Sequence, residues 1–221
     1  MHNIFKFGRY LVIIGISFLL TAQILACKEL FGSSVDSGGV DGQIYSNKYF
    51  GFSLMVPDNW YALDKNGMVA VSEEGSRMVA GDDKNLKAAV KAGEKNTVNL
   101  LMAYEHPPGK PVDFNPSIGC VAEKVSHLPG LKTGRDYLLN MKKFMRMSQV
   151  RMAFAEEIEA VDIDGVEFDL LYAEASVGPM TVSQEYYTSI RKGYALSFVI
   201  SYVDDEQHSN LQETLDSVRF D

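Results

Sequence analysis

Cysteine and histidine are the residues of this sequence best suited to nucleophilic, acid–base or metal-binding chemistry. The chain contains two cysteines, Cys27 and Cys120, and its histidines beyond the N-terminal segment are His106, His127 and His208. No two of these histidines are three or four residues apart, and the sequence contains no HExxH, CxxC or GxSxG motif. The sequence therefore predicts no catalytic residues, no metal site and no cofactor.

An enzyme site assembled from distant positions is the alternative. A metal-dependent or thiol enzyme would use Cys120 with His106 and His127, and Glu105 or Asp113 would supply a carboxylate. Cys120 lies in the apolar run SIGCVAEKVS, where an unpaired cysteine usually acts as a small buried side chain. The two histidines adjoin prolines in EHPPGKP and SHLPG, which favours turns. These contexts favour structural roles over catalysis.

The N-terminal segment has the features of a secretory signal peptide. Lys6 and Arg9 precede an uncharged run of 16 residues, Tyr10–Leu25, with the sequence YLVIIGISFLLTAQIL. A membrane-spanning helix needs about 20 apolar residues, whereas a signal peptide has about 7–15 followed by a small residue. Ala26 provides that small residue. We therefore expect residues 1–26 to be a signal peptide.

Cys27 follows this run directly, and Ile24-Leu25-Ala26-Cys27 resembles the lipobox of bacterial lipoproteins. In that family the cysteine thiol is lipidated and the peptidase cuts before it, so the resemblance implies fatty acids such as palmitate on Cys27. Two or more acyl chains hold a protein stably at a membrane. Lys28 is not the aspartate that retains such lipoproteins in the inner membrane. The resemblance thus implies a lipid-anchored protein that faces the periplasm or the exterior, with the outer membrane favoured in a Gram-negative cell. The alternative is an ordinary signal peptide whose cleavage site happens to lie beside a cysteine.

The charge of the chain argues against two classes of partner. The sequence has 21 lysines and arginines against 29 aspartates and glutamates, a net charge of −8 at pH 7. Cleavage after Ala26 removes Lys6 and Arg9 but no acidic residue, which leaves 19 basic residues and a net charge of −10. An acidic surface repels nucleic acid and anionic lipid headgroups. We expect neither as a partner, so the lipid would be the link to the membrane.

The residues after the signal peptide form a tether and then one domain. Residues 27–44 contain KELFGSSVDSGGVDGQ, which is rich in glycine, serine and aspartate and predicts a flexible tether. Residues 45–221 are enough for one domain with a substantial core and too few for two typical domains. Lipidation of Cys27 would leave Cys120 unpaired, so this domain is expected to fold without a disulfide.

Strands dominate the pattern of the domain. In NKYFGFSLMVP the apolar side of a period-2 alternation consists of Phe50, Phe52, Leu54 and Val56. The runs NLLMAYEH and GCVAEKVS also read as strands. Hairpins are predicted at Asp164-Gly165, between VDI and VEFDLLY, and at Arg191-Lys192-Gly193, before YALSFVISYV.

Three helices are predicted among these strands. One follows Asp82 or Asp83, and a second begins at a capping box of Thr133 and Asp136 and runs to about residue 147. A third follows Asp204 or Asp205, and its apolar stripe consists of Leu211, Thr214, Leu215 and Val218. This order predicts an α+β fold with a mostly antiparallel β-sheet flanked by helices.

Three segments together resemble the PsbP-like superfamily, and within it the bacterial lipoproteins of the DcrB-like kind. These segments are YSNKYFGFSLMVPDNW, VDIDGVEFDLLY and GYALSFVISYVDDEQHSNLQETLDSVRF. The likeness spans Tyr45 to Asp221 and implies an αβα sandwich. Known members mostly bind and stabilise protein assemblies, so the resemblance also implies a protein partner.

The segment MKKFMRMSQVRM is the densest basic stretch of this acidic chain, and it supplies the candidate partner-binding residues Lys142, Lys143 and Arg146. Thioethers suit Cu(I), but Met141 and Met145 lie one helical turn apart, which packing against a sheet explains without a metal. We interpret the whole chain as a lipid-anchored extracytoplasmic module that binds an unknown envelope protein and catalyses nothing itself.

Overall fold

The computed structural model describes residues 35–221. The expected signal peptide, Cys27 and the first part of the expected tether lie outside these residues. Within residues 35–221, no helix combines the length and apolar character needed to cross a membrane.

Residues 35–221 form four helices and twelve strands. The helices are α1 (Lys65–Ala80), α2 (Lys84–Glu94), α3 (Gly134–Met145) and α4 (Asp205–Asp216). The strands are β1 (Gly39–Asp41), β2 (Ile44–Asn47), β3 (Phe52–Met55), β4 (Tyr61–Ala62), β5 (Thr97–Tyr104), β6 (Ser117–Lys124), β7 (Met152–Phe154), β8 (Glu159–Ile163), β9 (Val166–Val177), β10 (Met180–Arg191), β11 (Tyr194–Tyr202) and β12 (Arg219–Phe220).

The strands form two sheets in which every pairing is antiparallel. The large sheet has the order β4-β5-β6-β11-β10-β9-β7, with β8 also paired to β9, and the small sheet has the order β1-β2-β3-β12. The predicted α+β class with an antiparallel sheet is therefore confirmed.

Two tight hairpins fix the register of the central strands. Asp164 and Gly165 both have positive φ, 50° and 78°, and so do Lys192 and Gly193, at 51° and 81°. Two successive residues with positive φ suit the right-handed twist of a two-residue hairpin. Both hairpins lie where the sequence predicted them, and they connect β8 to β9 and β10 to β11.

The two faces of the large sheet have different partners. Along β11, Leu196, Phe198 and Ile200 face a core shared with the small sheet and α4, whereas Ala195 and Val199 face a core shared with α1, α2 and α3. Successive side chains of a β-strand point to opposite faces of the sheet, which explains this alternation. The large sheet is thus enclosed by three helices on one side and by the small sheet with α4 on the other.

Helix α1 is an element that the sequence patterns did not predict. Its buried positions follow helical spacing, but serine and glycine occupy two of them: Met68, Val71, Ser72, Gly75, Val79 and Ala80. Polar and small residues on the buried face weaken the amphipathic pattern, and glycine is a poor helix former. The remaining local clue is Asp64, the N-cap, whose side chain accepts a hydrogen bond from Gly67 N at 2.7 Å.

The folded part begins earlier than the expected boundary at residue 45. Gly39–Asp41 forms β1 within the predicted tether, and Gly42, with φ 61°, turns the chain into β2. The preceding residues are also bound to the domain, because the Tyr45 hydroxyl donates to the Ser37 carbonyl at 2.9 Å. The end of the predicted tether is therefore part of the small sheet.

Candidate functional site

Cys120 is a core residue. It lies on β6 between Leu101 of β5 and Phe198 of β11, and its side chain is fully buried. Burial raises the pKa of the Cys120 thiol well above its ordinary value, because the thiolate would lose its hydration. The nucleophile required by the enzyme alternative is therefore inaccessible and protonated.

His106 and His127 lie outside this core. His106 follows β5 in a loop that Asn115 closes by hydrogen bonds to the backbone of His106, and the imidazole Nε2 is 3.7 Å from Glu105 Oε1. His127 is exposed. Among residues 35–221, no hydrogen bond joins either histidine to Cys120, and no group of three or more His, Cys, Asp or Glu side chains is arranged to hold a metal ion.

The side chains of the basic segment, residues 141–152, lie partly in the core and partly on the surface. Met141 and Met145 are buried in the core beneath α3, where they pack as apolar side chains. The ammonium group of Lys142 donates to the Ala155 carbonyl and so helps to hold the chain before β8. Lys143 and Arg146 are exposed. Of the three candidate partner-binding residues, two therefore present free positive charge to solvent.

Apolar side chains accompany these two charges on the outer side of α3. Leu139 is 43% exposed and lies one helical turn before Lys143. Arg146, the C-cap of α3, follows three residues later, and Met147, in the turn after the helix, is 62% exposed. Residues spaced by three or four share one side of a helix. Leu139 and Lys143 of α3, with Arg146 and Met147 directly after the helix, form the surface named the α3 stripe below.

Close packing fixes the position of α3 and hence of this stripe. The capping box is present, with Asp136 N donating to Thr133 Oγ1 at 3.1 Å and Thr133 N donating to Asp136 Oδ2 at 3.1 Å. At Gly134 a Cβ atom would lie 2.0 Å from the Thr188 carbonyl oxygen, so only glycine lets the helix start this close to β10. The Tyr137 hydroxyl donates to Glu123 Oε2 of β6 at 2.7 Å.

The opposite face of the large sheet holds a polar cluster that the sequence patterns did not predict. Glu185 of β10 is 1% exposed, and its carboxylate contacts four polar side chains. The distances are 2.7 Å to Tyr202 Oη, 2.8 Å to His208 Nε2 and 2.9 Å to Gln212 Nε2, and the fourth contact is a hydrogen bond from Tyr187 Oη. A carboxylate can accept hydrogen bonds at this many sites, so its burial is compensated.

Sheet register and helical spacing assemble this cluster. Glu185 and Tyr187 are two residues apart on β10, so both face α4, and His208 and Gln212 are one turn apart on α4. The His208 and Tyr202 rings lie 4.5 Å apart, with 30° between their planes. Burial, followed by the hydrogen bond to Glu185, raises the pKa values of the Tyr187 and Tyr202 hydroxyls above their ordinary range. Both tyrosines therefore act as hydrogen-bond donors.

A cavity of about 430 Å³, named the α4 cavity below, lies beside this cluster. Its polar floor includes Tyr172, Tyr187 and Gln212. Its apolar residues are the partly exposed Val161 and Ile163 and the buried Leu170, Leu215 and Val218, and its acidic residues are Asp162, Asp164 and Asp216. A second cavity of about 360 Å³ also contacts Tyr172 and includes Phe154 and Tyr202 in its lining. Ligand sites in proteins are typically concave and combine apolar walls with a few polar groups.

Comparison of the whole chain with solved structures identifies similar folds. The solution structure of cyanobacterial PsbP (CyanoP) from Synechocystis sp. PCC 6803 is 18% identical, with a TM-score of 0.50 over 83% of this chain and 98% of that chain. LpqN of Mycobacterium tuberculosis, described as involved in cell envelope biogenesis, is 14% identical, with a TM-score of 0.41 over 76% of this chain and 82% of that chain. PA94 of Pseudomonas aeruginosa, described as a putative regulator, is 12% identical, with a TM-score of 0.38 over 55% of this chain and 79% of that chain.

The sequence matches no protein-family model and none of the curated proteins. The similarity to CyanoP shows that the fold is PsbP-like, as the sequence resemblance implied. At 18% identity the similarity concerns the fold alone, and no conclusion about this chain depends on the two weaker matches.

Proposed function

We propose that this protein is a lipid-anchored extracytoplasmic module that binds a protein partner at the cell envelope without catalysing a reaction. The observation that carries the proposal is the α3 stripe, where Lys143 and Arg146 lie between the exposed Leu139 and Met147. Large apolar side chains are usually buried, so two exposed ones close together, on α3 and in the turn directly after it, suggest a contact surface.

The composition of the stripe suits an acidic protein partner. Arginine and methionine are enriched at protein interfaces, and lysine and arginine at the rim speed the approach of an oppositely charged surface. The charge of the stripe contrasts with the net charge of −8 of the whole chain. The positive charge is therefore local and would orient the protein on its partner.

The sequence supports the location in this proposal. The lipobox-like tetrapeptide ending at Cys27 and the short apolar run before it support export and lipid attachment, with the outer membrane favoured in a Gram-negative cell. The inaccessible thiol of Cys120 argues against the thiol enzyme that was the alternative.

Site-specific photo-crosslinking of the full-length protein in its native cells would test the proposed contact surface. A photoreactive amino acid replaces Met147 in one variant and Val69 in the control variant, since Val69 of α1 is similarly exposed, at 53%. We expect a discrete protein adduct from position 147 and none from position 69. Lys143→Gln with Arg146→Gln should reduce that adduct strongly, because these changes remove the attraction to an acidic partner.

The matched control for charge is Lys65→Gln with Lys95→Gln, which removes two exposed lysines elsewhere. This control should leave the adduct unchanged. Equal adducts from positions 147 and 69, or equal effects of the two charge variants, would contradict the assignment of the partner surface to the α3 stripe.

A further inference from the structure

The small sheet carries exposed apolar side chains on the face that points away from the core. Ile44 of β2 and Met55 of β3 lie directly opposite each other in the antiparallel register, so their side chains share one face. Their chain neighbours Tyr45 and Leu54 are each 1% exposed and face the core. By contrast, Ile44 is 51% exposed and Met55 is 57% exposed. The two therefore form an apolar pair that faces solvent.

This outer face of the small sheet is electrically neutral as a whole. The strand registers place seven residues on it: Gly39, Asp41, Ile44, Ser46, Ser53, Met55 and Arg219. Asp41 is its one acidic residue and Arg219 its one basic residue, whereas the whole chain has a net charge of −8. Anionic lipid headgroups repel an acidic surface but not a neutral one. This face can therefore approach a bilayer that would repel the acidic parts of the surface.

The expected lipid attachment site is close to this sheet along the chain. The side-chain amide of Asn47 donates to the Asp36 carbonyl at 2.9 Å. The Tyr45 hydroxyl donates to the Ser37 carbonyl at the same distance, so the chain is fixed to the small sheet from Asp36 onwards. Asp36 is nine residues after Cys27. Because a chain spans at most about 3.6 Å per residue, no more than about 32 Å can separate these two residues in any conformation.

We infer that the outer face of the small sheet rests on the surface of the lipid bilayer, with Ile44 and Met55 inserted between the headgroups. The inference depends on the proposed lipid anchor at Cys27. The anchor supplies the attachment, and a second contact made by a tethered domain is intramolecular, so a small apolar surface is sufficient for it. This contact would fix the orientation of the domain rather than its presence at the membrane.

The orientation has a consequence for the α3 stripe. The large sheet separates the small sheet from α1, α2 and α3. Stacked sheets lie about 10 Å apart, and a packed helix layer adds about another 10 Å. With the small sheet on the bilayer, the α3 stripe would lie on the far side of the domain, where a protein partner can reach it.

Fluorescence quenching in vesicles would test this orientation. The full-length chain carrying Met55→Cys is purified from membranes, labelled with an environment-sensitive fluorophore and placed in phosphatidylcholine vesicles, with or without a lipid that bears a nitroxide quencher near its headgroup. The control position is Met147, another exposed methionine, at 62%, changed by Met147→Cys. Side chains of an interfacial surface enter a membrane by about 5–10 Å, so we expect at least about twofold stronger quenching from position 55 than from position 147.

A second change tests whether the apolar pair makes the contact. Ile44→Thr, added to the Met55→Cys chain, should reduce the quenching from position 55, because it removes an apolar side chain from the face. Threonine keeps the branched shape that favours a strand. The matched control is Val69→Thr, which makes a similar change at a similarly exposed position of α1, 53% exposed, and should leave the quenching unchanged. Circular dichroism should show both variants folded.

The parent chain tests the anchor separately. Cys120 is fully buried, so a lipidated parent chain should take up no fluorophore. Labelling of the parent at Cys27 would refute the lipid anchor, and this inference with it.

Three outcomes with an unlabelled parent would overturn this inference alone. The first is equal quenching from positions 55 and 147, or equal effects of Ile44→Thr and Val69→Thr. The second is stronger quenching from position 147, which would place the α3 stripe on the bilayer. The third is a spectral shift at position 55 that depends on protein density and not on the nitroxide lipid, which would place a second copy of the chain on this face.

Discussion

The imidazole Nε2 of His208 lies 2.8 Å from the carboxylate Oε1 of Glu185, so α4 is held to the large sheet by a buried polar contact as well as by its apolar side. Glu185 is 1% exposed, whereas the His208 side chain is 36% exposed. The contact therefore connects the interior of the sheet to the surface beside the α4 cavity.

Replacement of Glu185 should destabilise the domain strongly. Glu185→Ala removes the acceptor shared by Tyr187, Tyr202 and Gln212 and leaves buried donors without a partner. Each buried donor that is left without an acceptor costs about 1–3 kcal/mol. Urea unfolding followed by circular dichroism measures the loss. Glu174→Ala, at an exposed position of β9, should change the free energy of unfolding by about 0.5 kcal/mol or less. Equal losses from the two variants would show that the cluster contributes little.

The same leucine-to-alanine change should have different effects on two helices. Leu211 of α4 is fully buried between the sheets, whereas Leu139 of α3 is 43% exposed. Leu211→Ala should lower the free energy of unfolding by about 2–5 kcal/mol, because it leaves a cavity in the core. Leu139→Ala should lower it by about 0.5 kcal/mol or less. Similar melting temperatures for the two variants would contradict the assignment of α4 to the core.

Cys120 should be unreactive in the folded protein. Burial raises the pKa of its thiol, so the thiolate, which is the reactive form, is scarcer at neutral pH than for an exposed cysteine. In a chain carrying Cys27→Ser, the single remaining thiol should react at least about 100-fold more slowly with a disulfide reagent in buffer than in denaturant. The slow reaction should persist at pH 8, where an ordinary thiol is already partly ionised. Fast labelling of the folded chain would contradict the buried position.

Asp136 should contribute stability that is lost in acid. Hydrogen bonds from the backbone of Lys132 and from Thr133 hold the pKa of Asp136 below its ordinary value. A lowered pKa in the folded state stabilises the protein above the ordinary aspartate pKa, and this contribution disappears as the pH falls through the lowered value. Asp136→Asn should therefore reduce the difference between the urea midpoints at pH 7 and pH 3. Asp58→Asn, at an exposed turn, is the control and should preserve that difference.

Lipid attachment at Cys27 is tested by metabolic labelling with a fatty-acid analogue. Cys27→Ser should abolish the label and stop lipoprotein-type processing, because the serine hydroxyl cannot replace the thiol in the lipid transfer. Cys120→Ser is the matched control and should leave labelling intact, since Cys120 is buried in β6. Labelling of the Cys27→Ser chain at the parental level would refute the anchor.

The elements predicted correctly from sequence are those with strong local patterns. The hairpin at Asp164-Gly165 depends on two adjacent residues with positive φ, and the start of α3 depends on Thr133 and the residue three positions later. Both are properties of a few neighbouring residues. Helix α1 was not predicted because Ser72 and Gly75 lie on its buried side and weaken its apolar pattern. Packing against the rest of the domain, rather than a strong local pattern, stabilises this helix.

The polar cluster and the α4 cavity illustrate the opposite case. Glu185 looks like an ordinary polar position in the strand sequence VSQEYYTSI, and only the antiparallel register places it next to Tyr172 on one side and Ile200 on the other. His208 was a candidate for chemistry, but the sequence did not name its partner. The spacing of His208 and Gln212 along one side of α4 was the one local clue.

The small sheet has a consequence for the order in which the chain can fold. Phe52 and Ser53 of β3 pair with Phe220 and Arg219 of β12, so the first and last parts of the domain form one sheet. Contacts between residues this far apart in sequence form slowly, because a long loop must close before they give any stabilisation. During synthesis, β3 has no neighbour on one edge until residues 219 and 220 are available, and Phe52 lacks its contact with the Phe220 ring. The small sheet is therefore complete only after residues 219 and 220 have been synthesised, whereas the strand pairs of the large sheet do not depend on them.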